Sequence, residues 1–168
     1  SGANHDNSYV VVTADHSAPD TIIDGFQIHD GFNSQAASTG GRGAGMRMQN
    51  GSATIRNCTF FGNLTVNAGG GVYSNGGSPT LVNCHFYQDT ATRGAAIYHE
   101  GPQPIHIYNC RFRDNQADEG AIKFVNSDGL VAGCWFHGNY ASEYGGAIHT
   151  DGIESDVRWY RPLESEAW

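Results

Sequence analysis

Two sets of residues recur in this chain with one period, and that periodicity limits the possible folds more than any other feature. Asn57-Cys58-Thr59-Phe60, Asn83-Cys84-His85-Phe86 and Asn109-Cys110-Arg111-Phe112 are followed by Gly133-Cys134-Trp135-Phe136, with the cysteines at intervals of 26, 26 and 24 residues. A second signature runs in phase with the first. Gly70-Gly71-Val72, Ala95-Ala96-Ile97, Gly120-Ala121-Ile122 and Gly146-Ala147-Ile148 repeat at 25, 25 and 26 residues, and Gly45-Met46 lies one further step upstream. Each unit contains short alternating segments, such as Leu81-Val82-Asn83-Cys84-His85-Phe86, broken by Gly, Asn, Asp and Ser. No segment has the 3.6-residue apolar rhythm and end caps of a helix. A repeat of this length made of short strands and turns predicts one coil of a parallel β-solenoid per repeat.

Coils in such a solenoid stack at the inter-strand spacing of ~4.8 Å, so equivalent residues form ladders along the axis. Side chains alternate along a strand, which sorts the ladders into inward and outward sets. Ile55, Leu81, Ile107, Val131 and Val157 read as one inward column, the four cysteines as a second, and Phe60, Phe86, Phe112 and Phe136 as a third. Upstream, Ile23-Asp24-Gly25-Phe26-Gln27-Ile28 fits the same register, with Phe26 in the Cys column and Ile28 in the Phe column. The step from Ile23 to Ile55 is 32 residues, which places an enlarged loop at 33–42. The expectation is an all-β chain of about five to six coils with ~26 residues per coil, one domain over 1–158, and a tail or cap over 159–168. Ser1-Gly2-Ala3-Asn4 contains neither an initiator Met nor an apolar leader, so a segment upstream is expected to have been removed.

Composition agrees with this reading and excludes others. There are 23 Gly and 13 Asn but only 4 Leu and one Lys, a mixture unsuited to a helical bundle. The net charge of −8 disfavours binding to nucleic acid or to anionic membranes. No apolar run approaches the ~20 residues of a membrane-spanning helix.

Asp24-Gly25-Phe26-Gln27-Ile28, Asn57-Cys58-Thr59-Phe60 and Gly69-Gly70-Gly71-Val72-Tyr73 resemble secreted bacterial right-handed parallel β-helix proteins of the pectin-lyase-like superfamily. The likeness is to large surface proteins of the choice-of-anchor type and, more distantly, to polymorphic outer-membrane proteins. It extends over residues 8–150 and implies an extracellular or cell-surface location. Its motifs specify a fold and say little about activity. The pectinolytic members of that superfamily need clustered Asp residues, or a calcium site with a basic residue opposite. This chain has no Asn-Thr-Asp, Asp-Asp or Gly-His-Gly. Asp114, Asp118 and Glu119 read as a solvated turn, and His149 with Asp151, or His29 with Asp30, as half of a site at most. The expectation is therefore not an enzyme.

The cysteines could be stacked disulfides, a metal site or buried thiols. Parallel side-chain vectors suit a disulfide poorly, and no Cys-x-x-Cys or Cys/His spacing suggests zinc. Buried free thiols are expected, with no metal and no cofactor. Asn57, Asn83 and Asn109 at one turn, and Asn63, Asp89, Asn115 and Asn139 at another, read as hydrogen-bonded ladders. One carboxylate among amides makes a poor calcium cage. The sequons at Asn50, Asn57 and Asn63 are by-products of Asn-rich turns.

Two adjacent outward columns carry the candidate binding residues. One reads Gln27, Thr59, His85, Arg111, Trp135, and its neighbour reads His29, Phe61, Tyr87, Arg113, His137. Aromatic residues beside Arg are the composition of a contact surface, so Phe61, His85, Tyr87, Arg111, Arg113, Trp135 and His137 are expected to meet a covering segment, a protein or a glycan. A third column, Arg47, Tyr73, Tyr98, Lys123 and His149, follows the same logic. The function expected is an extracellular structural or adhesive protein. Its partner would be itself, stacked head to tail into a filament, or the neighbouring coils of a longer chain. A glycan-binding adhesin is the first alternative and a polysaccharide lyase or hydrolase the second.

Overall fold

A computed structural model describes residues 9–35, 40–152 and the backbone of the strand Val157–Tyr160. Among these residues there are strands and turns and no helix. Three sheets of parallel strands run the length of the molecule. The first joins Val12–Thr13, Met46–Gln49, Val72–Asn75, Ile97–Glu100, Ile122–Val125 and Ile148–Asp151. The second joins Ile22–Asp24, Thr54–Arg56, Thr80–Val82, Ile105–Tyr108, Gly129–Ala132 and Val157–Tyr160. The third joins Gln27–His29, Thr59–Phe61, His85–Tyr87, Arg111–Arg113 and Trp135–His137. Two short pairs, Phe32–Asn33 with Leu64–Thr65 and Gln116–Glu119 with Tyr140–Tyr144, lie on the segment returning from the third sheet to the first. Every pairing joins one repeat to the next, which makes the chain a parallel β-helix.

The register follows the columns read from the sequence. Ile55, Leu81, Ile107 and Val131 pair in succession, and Leu81, Ile107 and Ile55 are fully buried. Phe60, Phe86, Phe112 and Phe136 stack with centroid separations of 4.7, 5.1 and 4.8 Å. Stacked identical rings bury a large apolar area at low rotamer cost, and offset stacking adds to it. The corner between the second and third sheets requires a left-handed backbone. Asn57, Asn83 and Asn109 sit there at φ near +53°, with Gly25 at +77° and Gly133 at +65° in the equivalent places. Only Gly and Asn adopt that region readily. Gly133 therefore replaces the Asn of the fourth repeat without changing the turn.

Cys58, Cys84, Cys110 and Cys134 are free thiols, the first three buried. Each donates to a carbonyl two residues back, as in Cys84 Sγ to Val82 O at 3.4 Å. Hydrogen bonding to Cys84, together with burial, holds the Cys58 thiol far above its ordinary range. The second Asn ladder is present too: Asn63 Nδ2 donates to Asp89 Oδ1, and Asn115 Nδ2 to Asn139 Oδ1, each at 2.9 Å.

Three expectations are corrected. Val157 pairs with Gly129, and it is Trp159 that stands opposite Val131, because the last strand is shifted by two residues relative to the simple repeat. That strand runs from Val157 to Tyr160. Phe26 keeps its place at the Cys turn but is 58% exposed, since it joins Ile22–Asp24 and Gln27–His29, each the edge strand of its sheet. The third outward column has the expected register, yet Tyr73, Tyr98 and Lys123 are buried. The returning segment covers it, through the bridged residues Arg42, Ala68, Arg93 and Glu119. Residues 36–39 of the enlarged loop and 161–168 of the expected tail lie outside the described residues.

Candidate functional site

The third sheet presents its outer face to solvent, and all seven sequence-predicted binding residues are on it. His85, Arg111 and Trp135 stand in line on three successive coils, as do Tyr87, Arg113 and His137 beside them. Phe61 continues the second line, paired with Tyr87. Alternation explains the arrangement. Phe86, Phe112 and Phe136 turn inward, so the residues on both sides of each must turn outward.

The two lines differ in what they offer. The second is largely engaged within the protein. The His29, Phe61 and Tyr87 rings stack at 4.4 and 5.0 Å, and Arg113 Nε donates to Asp114 Oδ2 at 2.9 Å. The first line borders a groove of about 790 Å³ lined by Asn83, His85, Asn109, Arg111, Gly133 and Trp135. The groove runs along the corner where the Asn ladder turns into the third sheet. Trp135 is 50% exposed and lies parallel to His137 at 5.1 Å, with 6° between the rings. His85 and Arg111 are exposed, and within the described residues neither side chain is tied into an ion pair.

Sequence reasoning missed three lining residues. Asn83, Asn109 and Gly133 had been read as turn residues alone. The same repeat that fixes their backbone also aligns them one coil apart beside the outward line, and that second consequence was available from the columns. Of the candidates, Phe61, Tyr87, Arg113 and His137 share the face without lining the groove.

The groove is suited to holding a ligand by shape, stacking and hydrogen bonds. A half-exposed indole gives a flat apolar surface, the guanidinium gives forked donors, and two amides one coil apart each give a donor and an acceptor. No group of three or more His, Cys, Asp or Glu side chains is placed to hold a metal ion among the described residues.

The two His–Asp neighbours are each held in polar contacts within the protein. His29 Nδ1 meets Asp30 Oδ2 at 2.8 Å. His149 and Asp151 flank the buried Lys123, whose Nζ donates to His149 Nδ1 at 2.9 Å and to Glu119 Oε2 at 2.9 Å, with Asp151 Oδ2 at 3.5 Å. Burial, and then the Lys123 charge, lower the His149 pKa.

No curated protein and no solved structure matches the chain. A family described as right handed beta helix region matches residues 5–158. That match covers nearly the whole chain and agrees with coils of parallel strands stacked at one repeat length, so the protein belongs to the right-handed β-helix family.

Proposed function

We propose that the protein is an extracellular, non-catalytic surface module that holds a glycan in the groove along its third sheet. The observation that carries this reading is the alignment of Trp135, Arg111 and His85 on successive coils beside Asn83 and Asn109, around one open groove. Sugar rings stack on an exposed indole by their apolar faces, and their hydroxyls take donors and acceptors from amides and guanidinium. Rungs ~4.8 Å apart suit an extended polymer lying along the axis, each residue meeting the next rung. Calorimetric titration against a panel of soluble polysaccharides tests the reading. Trp135→Ala is expected to weaken the binding at least tenfold and Arg111→Ala several-fold, while Arg113→Ala, on the same face but outside the groove, leaves it unchanged. A panel with no binder, or binding indifferent to Trp135, overturns the proposal. Steady release of shortened products from a bound polymer would make the protein an enzyme.

A second reading has its own observation. The outermost described strands at the start of the chain leave Tyr9, Val11, Ile22, Phe26 and Phe32 exposed, between 41% and 58%. Unpaired strand edges bearing apolar side chains template further pairing. A second copy stacked head to tail would cover them, and because such a contact does not close, it would extend into a filament. Sedimentation across a concentration series distinguishes the outcomes: growing polymers support stacking, and a single monomer species at every concentration refutes it.

A further inference from the structure

The ladder of Asn63, Asp89, Asn115 and Asn139 has one chemically different member. On the three amide rungs the side chain bridges coils in the same way. Oδ1 accepts a backbone N–H from the preceding coil: Gly31 to Asn63 at 3.0 Å, Asp89 to Asn115 at 3.1 Å, and Asn115 to Asn139 at 3.1 Å. Nδ2 donates back to a carbonyl of that coil: Asn63 to Ile28 O at 3.0 Å, Asn115 to Phe86 O at 3.1 Å, Asn139 to Phe112 O at 2.9 Å. On Asn63 and Asn115, Nδ2 also donates forward to the next rung's Oδ1.

Asp89 keeps the accepting half of this pattern, since its Oδ1 receives Asn63 N at 3.0 Å and Asn63 Nδ2 at 2.9 Å. Its Oδ2 takes the place of the missing amide nitrogen. By the repeat, the groups that face that place are Phe60 O behind and Asn115 Oδ1 ahead, and both are acceptors. Asp89 is 0% exposed, and its Oδ2 receives no hydrogen bond. An ionised carboxylate there would set negative charge against two hydrogen-bond acceptors, away from solvent, an arrangement that disfavours the charged form. The titratable side chains of the same turn on flanking coils give no compensation. Asp30 turns to His29, and Asp114 to Arg113, both at the surface.

We propose that Asp89 is held as a neutral carboxylic acid whose Oδ2–H supplies the hydrogen bond that Nδ2 supplies on the other rungs, making this rung a proton-dependent fastening between coils. Burial pushes the carboxyl from 3.8 up to about 8, against the hydrogen bonds from Asn63 that favour the charged form. The sign of the effect follows. Below the unfolded value both states hold the proton and the rung contributes in full. Between about 4 and about 8 the unfolded chain loses the proton and the folded one keeps it. The folded-to-unfolded ratio then falls by up to tenfold per pH unit, until the folded carboxyl ionises as well.

Asp89→Asn restores a permanent donor and tests the idea. Unfolding of both proteins is followed in urea from about pH 4 to pH 9, on either side of the ordinary carboxylate range. The variant is expected to gain on the wild type steadily with rising pH and to be the more stable protein above pH 8. Parallel profiles overturn the proposal. An infrared titration of the wild type alone provides an independent check. A protonated-carboxyl C=O band persisting at about pH 6, where ordinary carboxyls are ionised, supports the neutral acid, and its absence refutes it.

Discussion

At the scale of single residues, the corner positions show how a backbone requirement selects side chains. Gly25, Asn57, Asn83, Asn109 and Gly133 all hold positive φ. A Cβ-bearing residue without the local hydrogen bonding of Asn loses roughly 1–2 kcal/mol there. Asn83→Ala should therefore lower the unfolding free energy obtained from urea titration by about that amount, while Asn83→Gly stays within about a few tenths of a kcal/mol. The Gly variant retains the turn without the amide, so it also separates the groove's hydrogen bonding from its stability. The thiols give a second residue-scale prediction. Cys58, Cys84 and Cys110 are buried while Cys134 is partly open, so a thiol reagent should label Cys134 slowly in the native protein and the other three only after unfolding. Fast native labelling of more than one thiol would contradict the ladder. These positions were legible because each one's environment is set by its own coil and the next.

At the scale of elements, legibility failed where a segment distant along the coil decides burial. Strand alternation correctly turns Tyr73, Tyr98 and Lys123 away from the main core. Alternation carries no information about the returning segment, which lays Ala68 and the Arg42 and Arg93 side chains over them. The result is a second, smaller core, with Tyr73 Oη and Tyr98 Oη both donating to the Glu100 carboxylate. Lys123, the single lysine of the chain, closes its far end. Lys123→Met should cost roughly 2 kcal/mol, below the full cost of an orphaned buried charge because Glu119 and Asp151 reach water. The same variant should raise the His149 pKa in an NMR titration, since the lysine charge depresses it. The rise should be partial, because burial is the larger cause and remains. The shifted last strand was hidden for a similar reason: a constant step aligned Val157 with Val131, and two additional residues moved Trp159 into that register.

At the scale of the whole molecule, two buried groups, His99 on the first sheet and Asp89 at a turn after the third, have opposite pH dependences. His99 is 0% exposed, with Nε2 against Gln103 O at 2.9 Å and Nδ1 unpartnered. Burial lowers its pKa from 6.5, so the folded protein holds it neutral. Just below 6.5 the unfolded chain takes up a proton more readily than the folded one, so stability falls as the pH falls there. Asp89 has the opposite slope, losing stability as the pH rises from about 4 to about 8. Just below 6.5 the His99 slope opposes that of Asp89, and His149, whose pKa is lowered too, adds to the His99 slope. Above 6.5 the imidazoles no longer oppose the Asp89 slope. Wild-type stability should therefore fall more steeply with pH above about 6.5 than just below it. Asp89→Asn should remove the part of that fall due to the carboxyl and leave a rise with pH just below 6.5, a change of shape that a uniform gain in stability would not produce. Chemical unfolding at half-unit pH steps resolves the two shapes. A wild-type curve that still rises between pH 6.5 and 8 would mean that the neutral acid does not govern the solenoid in that range.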